Sequence, residues 1–213
     1  MKKFIFSSLF VAIAMTMLMG LSSCDPKNQK QEPSLNNAEE ATVENILTLD
    51  RQYMAFHYGT DYRWFECSVK FKDYLDQEND GKIEEVTNVF QVVYEYEKDK
   101  SYDTYVVMLN HNKGEGKADV YHSFWVEDYV LSDDQIKISF GEAYQKIMEC
   151  NLPKPHSKNC VLRKEVGPKE ANPQYIFGNN HAQLYVDAVT GNVSETNPVF
   201  EGYGFKMPLG EWP

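Results

Sequence analysis

The first half of the chain contains a series of four strand-like runs, which set the main limits on its fold. In the first run, residues 62–71, apolar and polar residues alternate, which gives a strand two different faces. The apolar face holds Phe65, Cys67, Val69 and Phe71. The polar face holds Trp64, Glu66, Ser68 and Lys70. Three further runs, residues 86–96, 102–111 and 118–126, follow after short turn-forming segments, so the pattern predicts an antiparallel meander.

Helical periodicity precedes this meander and returns after it. Residues 40–58 have apolar side chains at helical spacing, with Thr42 as a possible N-cap and Gly59 at the end. A second helix is predicted within residues 135–150, where Ser139 and Glu142 have the spacing of a capping box. Shorter strands are predicted at 159–166, 174–177 and 182–186, with a return from residue 193. We expect an α+β fold of two helix-plus-antiparallel-sheet halves, 40–131 and 132–213, which could be tandem repeats.

The second half also contains two short motifs that resemble a known family. Residues 138–143 (I-S-F-G-E-A) open the helix, and residues 185–193 (Y-V-D-A-V-T-G-N-V) form a strand followed by a turn. Together they resemble a PepSY or PepSY-like domain. The resemblance implies a small α+β binding module without a catalytic residue. The first half carries no such resemblance.

The N-terminus has the features of a bacterial lipoprotein signal. Lys2 and Lys3 precede a continuous apolar run at residues 4–20, and the tetrapeptide Leu21-Ser22-Ser23-Cys24 resembles a lipobox. We therefore predict a signal peptide at residues 1–23 and a diacylglyceryl (palmitate-type) lipid on Cys24. Residues 24–39 are polar and lack aromatic side chains, as expected for a disordered tether. These features predict a lipid-anchored protein of the cell envelope, in the outer membrane on its periplasmic face or at the cell surface.

The charge balance argues against nucleic acid as a partner. The 213 residues carry a formal net charge of −11, and removal of residues 1–23 would take away two lysines and no acidic residue. Such an acidic surface repels phosphate backbones. An acidic net charge of this size is also expected from the need for solubility alone, without a functional acidic surface.

Three cysteines remain once Cys24 is assigned to the lipid. Cys67 lies on the apolar face of the first strand and is predicted to be a small core residue. Cys150 and Cys160 flank a short loop and could form a disulfide in an oxidising compartment. The five histidines show no metal-ligand spacing, so neither a metal nor any other cofactor is predicted.

No motif for nucleophilic, metal-dependent or phosphoryl-transfer catalysis occurs in the sequence, and we predict that the protein is not an enzyme. The candidate binding residues are four aromatic side chains assigned to the polar faces of their strands: Tyr62, Trp64, Tyr121 and Trp125. Exposed rings can stack on sugars or anchor a protein partner, whereas a covering helix or tail would make them core residues. The expected function is to bind or inhibit an envelope protein such as a protease. The alternative is a glycan-binding accessory lipoprotein.

Overall fold

The computed structural model describes residues 32–36, 41–96 and 101–202. Pro33–Pro213 forms one compact unit. The predicted signal peptide, Cys24 and most of the tether lie outside the described residues, as does the end of the chain after Gly202.

Two α-helices and nine strands make up the described part of this unit. The helices are α1 (Val43–Tyr58) and α2 (Phe140–Glu149). The strands of the first half are β1 (Tyr62–Phe71), β2 (Ile83–Tyr96), β3 (Ser101–Asn112) and β4 (Glu115–His122). Those that follow are β5 (Asp128–Tyr129), β6 (Asn159–Glu165), β7 (Gln174–Asn179), β8 (Ala182–Asp187) and β9 (Val193–Ser194).

All nine strands belong to one antiparallel sheet. Its order is β4-β3-β2-β1-β6-β7-β8-β9, and the short strand β5 pairs with β6. The two halves therefore join in the middle of the sheet, where β1 pairs antiparallel with β6 and Ser68 lies opposite Val161. The predicted meander of β1 to β4 and the α+β class are confirmed.

Both helices begin where their capping residues predict. The Thr42 side chain accepts a hydrogen bond from the Asn45 amide at the start of α1, and Gly59 follows the helix with a φ of 77°. In α2, Ser139 and Glu142 form the predicted capping box, in which each side chain bonds the other residue's backbone amide. These bonds satisfy amide groups that a helix leaves without an internal partner.

Both helices pack on the same face of the sheet. In register, Val69 of β1 faces Val86 of β2 on one side and Cys160 of β6 on the other, and this row continues to Phe177 and Leu184. The same core includes residues of both helices, among them Ile46, Met54, Phe140 and Ile147. One hydrophobic core thus spans the two halves, and among the described residues no α-helix packs on the opposite face of the sheet.

A β-bulge in β1 corrects one prediction from the alternating pattern. Trp64 lies opposite Phe90 and Glu66 lies opposite Val89, so Phe65 is an extra residue between them. The bulge shifts the alternation by one residue. As a result, Trp64 lies on the helix-covered face with Cys67 and is only 5% exposed. The assignment of Trp64 to the polar face was therefore wrong.

Candidate functional site

The face of the sheet opposite the two helices contains a concave hollow of about 590 Å³. Its floor is a row of side chains that the strand register sets next to one another: Thr87, Ser68, Val161 and Ile176. The turn between β7 and β8 forms one wall, with Asn179, Asn180 and His181. We call this depression the open-face hollow. Because it crosses from β2 to β8, neither half of the chain could form it alone.

Six of the fifteen residues that line the open-face hollow carry hydroxyl or amide side chains. They are Ser68, Thr87, Asn159, Asn179, Asn180 and Gln183. Amide groups can donate and accept hydrogen bonds, as the backbone of an extended peptide requires. The Ser68 and Thr87 hydroxyls already donate to Glu66 Oε1 and Asn110 Oδ1, so they can accept from a ligand. Among the described residues, no phenylalanine, tyrosine or tryptophan lines the hollow.

Lys70 marks one end of the hollow and is paired with two carboxylates. Its Nζ atom lies 3.1 Å from Glu85 Oε1 and 3.3 Å from Glu84 Oε2. The hydrogen bonds to Glu85 and Glu84 raise the pKa of Lys70, so the ammonium group stays charged. Asn112 also donates to Glu85 Oε1, at 3.0 Å, and holds that carboxylate in place.

Arg163 marks the other end of the hollow and is surrounded by three carboxylates. Its guanidinium donates to Glu165, its Nε atom lies 3.8 Å from Asp128 Oδ1, and Glu66 faces it across the β1–β6 pair. Burial raises the pKa of Asp128 to about 6, although the hydrogen bond from Trp125 Nε1 and the charge of Arg163 act in the opposite direction. Within the described residues, Asp128 Oδ1 and Arg163 Nε are buried without a hydrogen-bond partner.

The segment between β4 and β5 holds this end of the site together. The Trp125 amide donates to Gln91 Oε1 at 2.8 Å, and the Trp125 indole donates to Asp128 Oδ2 at 2.9 Å. Residues 128–129 then pair with β6, and Leu131 pairs with Trp64 where β1 diverges from β6. The segment therefore fixes Asp128 beside Arg163.

A separate polar network lies on the helix-covered face, enclosed in the core. Asp50 of α1 accepts a hydrogen bond from Asn88 at 2.8 Å, and His111 Nε2 lies 2.7 Å from Asp50 Oδ1. Trp64 Nε1 lies 3.2 Å from Asn88 Oδ1 and completes the network. Asp50 and Asn88 are fully buried and His111 is 3% exposed. The Asp50–His111 pair therefore has no surface that a substrate could contact, and its role is to connect α1 to the sheet.

The four aromatic side chains predicted to bind a ligand do not form a single surface. Trp64 is buried, and half-buried Tyr62 packs edge-on against Phe90 on the helix-covered face. Tyr121 is 51% exposed near the end of β4, whereas Trp125 is half-buried in the segment after β4. A binding role for Tyr121 and Trp125 stays a prediction.

The exposed large apolar side chains lie away from the hollow. They belong to the last turn of α1, the β2–β3 hairpin, the segment 120–130 and the residue after β6. The most exposed are Phe124 at 66% and Val126 at 65%. Tyr121 was predicted as part of this surface, whereas Phe124 and Val126 were not, although the run V-Y-H-S-F-W-V at residues 120–126 contains all three.

The three cysteines after Cys24 are free thiols in the structure. Cys150 Sγ donates to the Ile147 carbonyl at 3.1 Å, while Cys160 is buried in the core opposite Val69 and Phe177. The structure therefore does not contain the predicted Cys150–Cys160 bridge, because the two side chains have different surroundings. Cys67 is a core residue, as predicted.

Comparison with known proteins provides no assignment. No protein-family model, curated protein or solved structure matches the chain. Within the described ranges, no group of three or more histidine, cysteine or acidic side chains could hold a metal ion. The described helices include none that is long and apolar enough to cross a membrane.

Proposed function

We propose that the protein is a lipid-anchored binding module of the cell envelope that holds a polypeptide segment of another envelope protein in the open-face hollow. The observation that carries this proposal is the hollow itself, because side chains from both halves line one depression on the face of the sheet opposite the two described helices. Its volume of about 590 Å³ lies in the range of ligand sites. If the partner is a protease, capture of one of its segments in the hollow would restrain that segment and inhibit the enzyme.

The anchor in this proposal comes from the N-terminal sequence. The basic start, the apolar run and Leu21-Ser22-Ser23-Cys24 together match a lipoprotein signal. Acyl chains on Cys24 would hold the protein in the outer membrane, since each buried methylene contributes about 0.8 kcal/mol. Cys24→Ala should abolish incorporation of a labelled fatty acid and leave the precursor unprocessed. Continued labelling of this variant would refute the anchor.

We also propose that the two halves are tandem PepSY-like units. Each half has a helix followed by antiparallel strands, and the first strands after the two helices, β1 and β6, pair antiparallel at the centre of the sheet. A twofold relation between repeats would produce this pairing. In this arrangement the hollow lies on the shared sheet surface of both units.

The test of the binding function is to fill the hollow. Ser68→Trp places a large ring on its floor, and Glu195→Trp adds the same ring at an exposed position after β9. Partners of each full-length lipoprotein would be captured by crosslinking in envelope membranes and identified by mass spectrometry. We expect Ser68→Trp alone to lose the specific partner while its thermal melt stays cooperative. Equal capture by both variants would overturn the proposal.

Glycan binding is the second candidate, and the exposure of Tyr121 favours it. A ring that is 51% exposed offers an apolar surface on which a sugar could stack. Glycan binding would retard the protein in gels that contain polysaccharide. If Tyr121→Ala loses this retardation and Ser68→Trp keeps it, the result would support glycan binding as the function. If Ser68→Trp loses the retardation and Tyr121→Ala keeps it, the result would instead support binding in the hollow.

A further inference from the structure

We propose that the open-face hollow binds a membrane-proximal segment of its partner, the stretch of chain that adjoins a membrane-spanning part of that protein. This inference rests on the proposed function, including the lipid on Cys24, and states where on the partner the bound segment lies. It comes from the place at which the N-terminal part of the chain is attached to the sheet.

Residues 33–36 are attached to the start of β4. The Gly116 amide donates to Asn36 Oδ1 at 3.2 Å, and Leu35 packs against the hydrophobic core. A Cβ atom at Gly116 would collide with the Leu35 carbonyl group, so glycine at this position allows the close approach of the two backbones. These contacts fix residues 33–36 at the edge of the sheet.

Only a short stretch of chain connects this attachment to the predicted lipid. Cys24 and Pro33 are nine positions apart in the sequence. Nine residues span at most about 31 Å, even when a chain is fully extended. The lipid would therefore hold the start of β4 within about 31 Å of the bilayer surface.

The hollow lies at the same level of the sheet as this attachment. The residue after Gly116, Lys117, lies opposite Asn110 of β3. Asn110 lies opposite Thr87, and Thr87 lies opposite Ser68 on the floor of the hollow. Neighbouring strands are about 4.8 Å apart, so the three strand spacings from β4 to Ser68 correspond to about 14 Å. The hollow is therefore close to the point at which the chain is held.

The opposite end of the sheet lies farther from the attachment. In β3, Tyr102 is ten residues from Asn112, which corresponds to about 34 Å along a strand. The β7–β8 turn with His181 lies at the Asn112 end, because four antiparallel pairings make β3 and β7 run in the same direction. The connection to the lipid is about as short as the sheet is long, so the end that contains the hollow faces the bilayer. A segment bound there adjoins the membrane.

The first experiment compares the heights of the two ends above the bilayer. The purified full-length lipoprotein, in a Cys150→Ser background, carries a fluorophore on His181→Cys or on Tyr102→Cys. It is reconstituted in phosphatidylethanolamine–phosphatidylglycerol vesicles that contain an acceptor lipid, and energy transfer should be higher from position 181. Gly116→Ala should reduce this difference, because the collision releases the N-terminal segment and lengthens the connection. Gly141→Ala is the matched control and should keep the difference, since a Cβ atom there meets nothing within 4 Å.

The second experiment identifies the bound segment. A photoreactive group at position 181 captures the partner in envelope membranes, and the crosslinked peptide should lie within about nine residues of a membrane-spanning stretch, the number that spans about 31 Å. A crosslinked peptide farther from every such stretch, or equal energy transfer from positions 181 and 102, would overturn the inference and leave the proposed function intact. Equal effects of Gly116→Ala and Gly141→Ala would overturn it as well. Equal partner capture with and without Ser68→Trp would instead overturn the proposed function.

Discussion

The carboxylate of Asp50 in α1 lies 2.7 Å from Nε2 of His111 in β3, and the other carboxylate oxygen accepts a hydrogen bond from Asn88 in β2. Burial raises the pKa of Asp50, while the hydrogen bonds from His111 and Asn88 oppose that shift. The contact joins α1 to two strands through polar groups inside an apolar core. A buried polar group without its partner is costly, so each member depends on the others.

We predict that Asp50→Ala lowers the free energy of unfolding by about 3–5 kcal/mol, because His111 and Asn88 would lose a buried partner. Urea denaturation followed by circular dichroism would measure it. Asp133→Ala is the matched control: Asp133 pairs with the Arg51 guanidinium, but its side chain is 68% exposed, and the expected loss is below about 1 kcal/mol. Similar losses in the two variants would contradict a structural role for the buried pair.

The raised pKa of Asp128 predicts that the stability of the protein depends on pH in the acidic range. Its pKa is raised from 3.8 to about 6, so the folded state binds a proton more readily than the unfolded state. Between about pH 4 and pH 6 the native protein therefore gains stability as the pH falls, by up to about 3 kcal/mol from this group. Above pH 6 this contribution is lost, because the carboxylate is charged in both states.

Asp128→Asn should remove that dependence and keep an oxygen acceptor for the Trp125 indole. Unfolding free energies of both proteins would be measured at several values between pH 4 and pH 7. The wild-type protein should gain stability relative to Asp128→Asn as the pH decreases. A difference that stays constant over this range would show that the pKa of Asp128 is not raised.

Local patterns in the sequence were sufficient for much of the fold. The caps at Thr42 and Ser139 and the alternation in β1 depend on residues a few positions apart, and these elements were predicted. The fourth strand was predicted to continue to residue 126, but β4 ends at His122. The strand was predicted to continue because apolar residues extend the strand-like pattern beyond His122. In the structure the chain leaves the strand there, and the Trp125 amide donates to Gln91 Oε1.

The candidate site could not be predicted in the same way, because it depends on contacts between distant residues. The floor of the hollow exists only because Ser68 lies beside Val161, and no local pattern specifies that pairing. A single bulge at Phe65 likewise reversed the direction of Trp64. Asp50 had no distinguishing pattern in its helix, since its partners His111 and Asn88 lie on other elements.

Substitution of two aromatic residues by alanine would distinguish a ring in the core from a ring on the surface. Trp64 is 5% exposed and Tyr121 is 51% exposed. Trp64→Ala should lower the free energy of unfolding by about 3–5 kcal/mol, whereas Tyr121→Ala should change it by less than about 1 kcal/mol. Thermal and urea melts would measure both. A small loss for Trp64→Ala would mean that the ring is not part of the core.

The thiols predict a distinct pattern of chemical labelling. Burial raises the pKa of the Cys67 and Cys160 thiols well above the ordinary value, and a thiol reacts with alkylating reagents as its thiolate. In the native protein, a maleimide should therefore label only half-buried Cys150, and Cys150→Ser should remove the signal. After denaturation without a reducing agent, mass spectrometry should find all three residues alkylated. A Cys150–Cys160 linked peptide in that digest would show instead that the mature protein forms the bridge predicted from its loop.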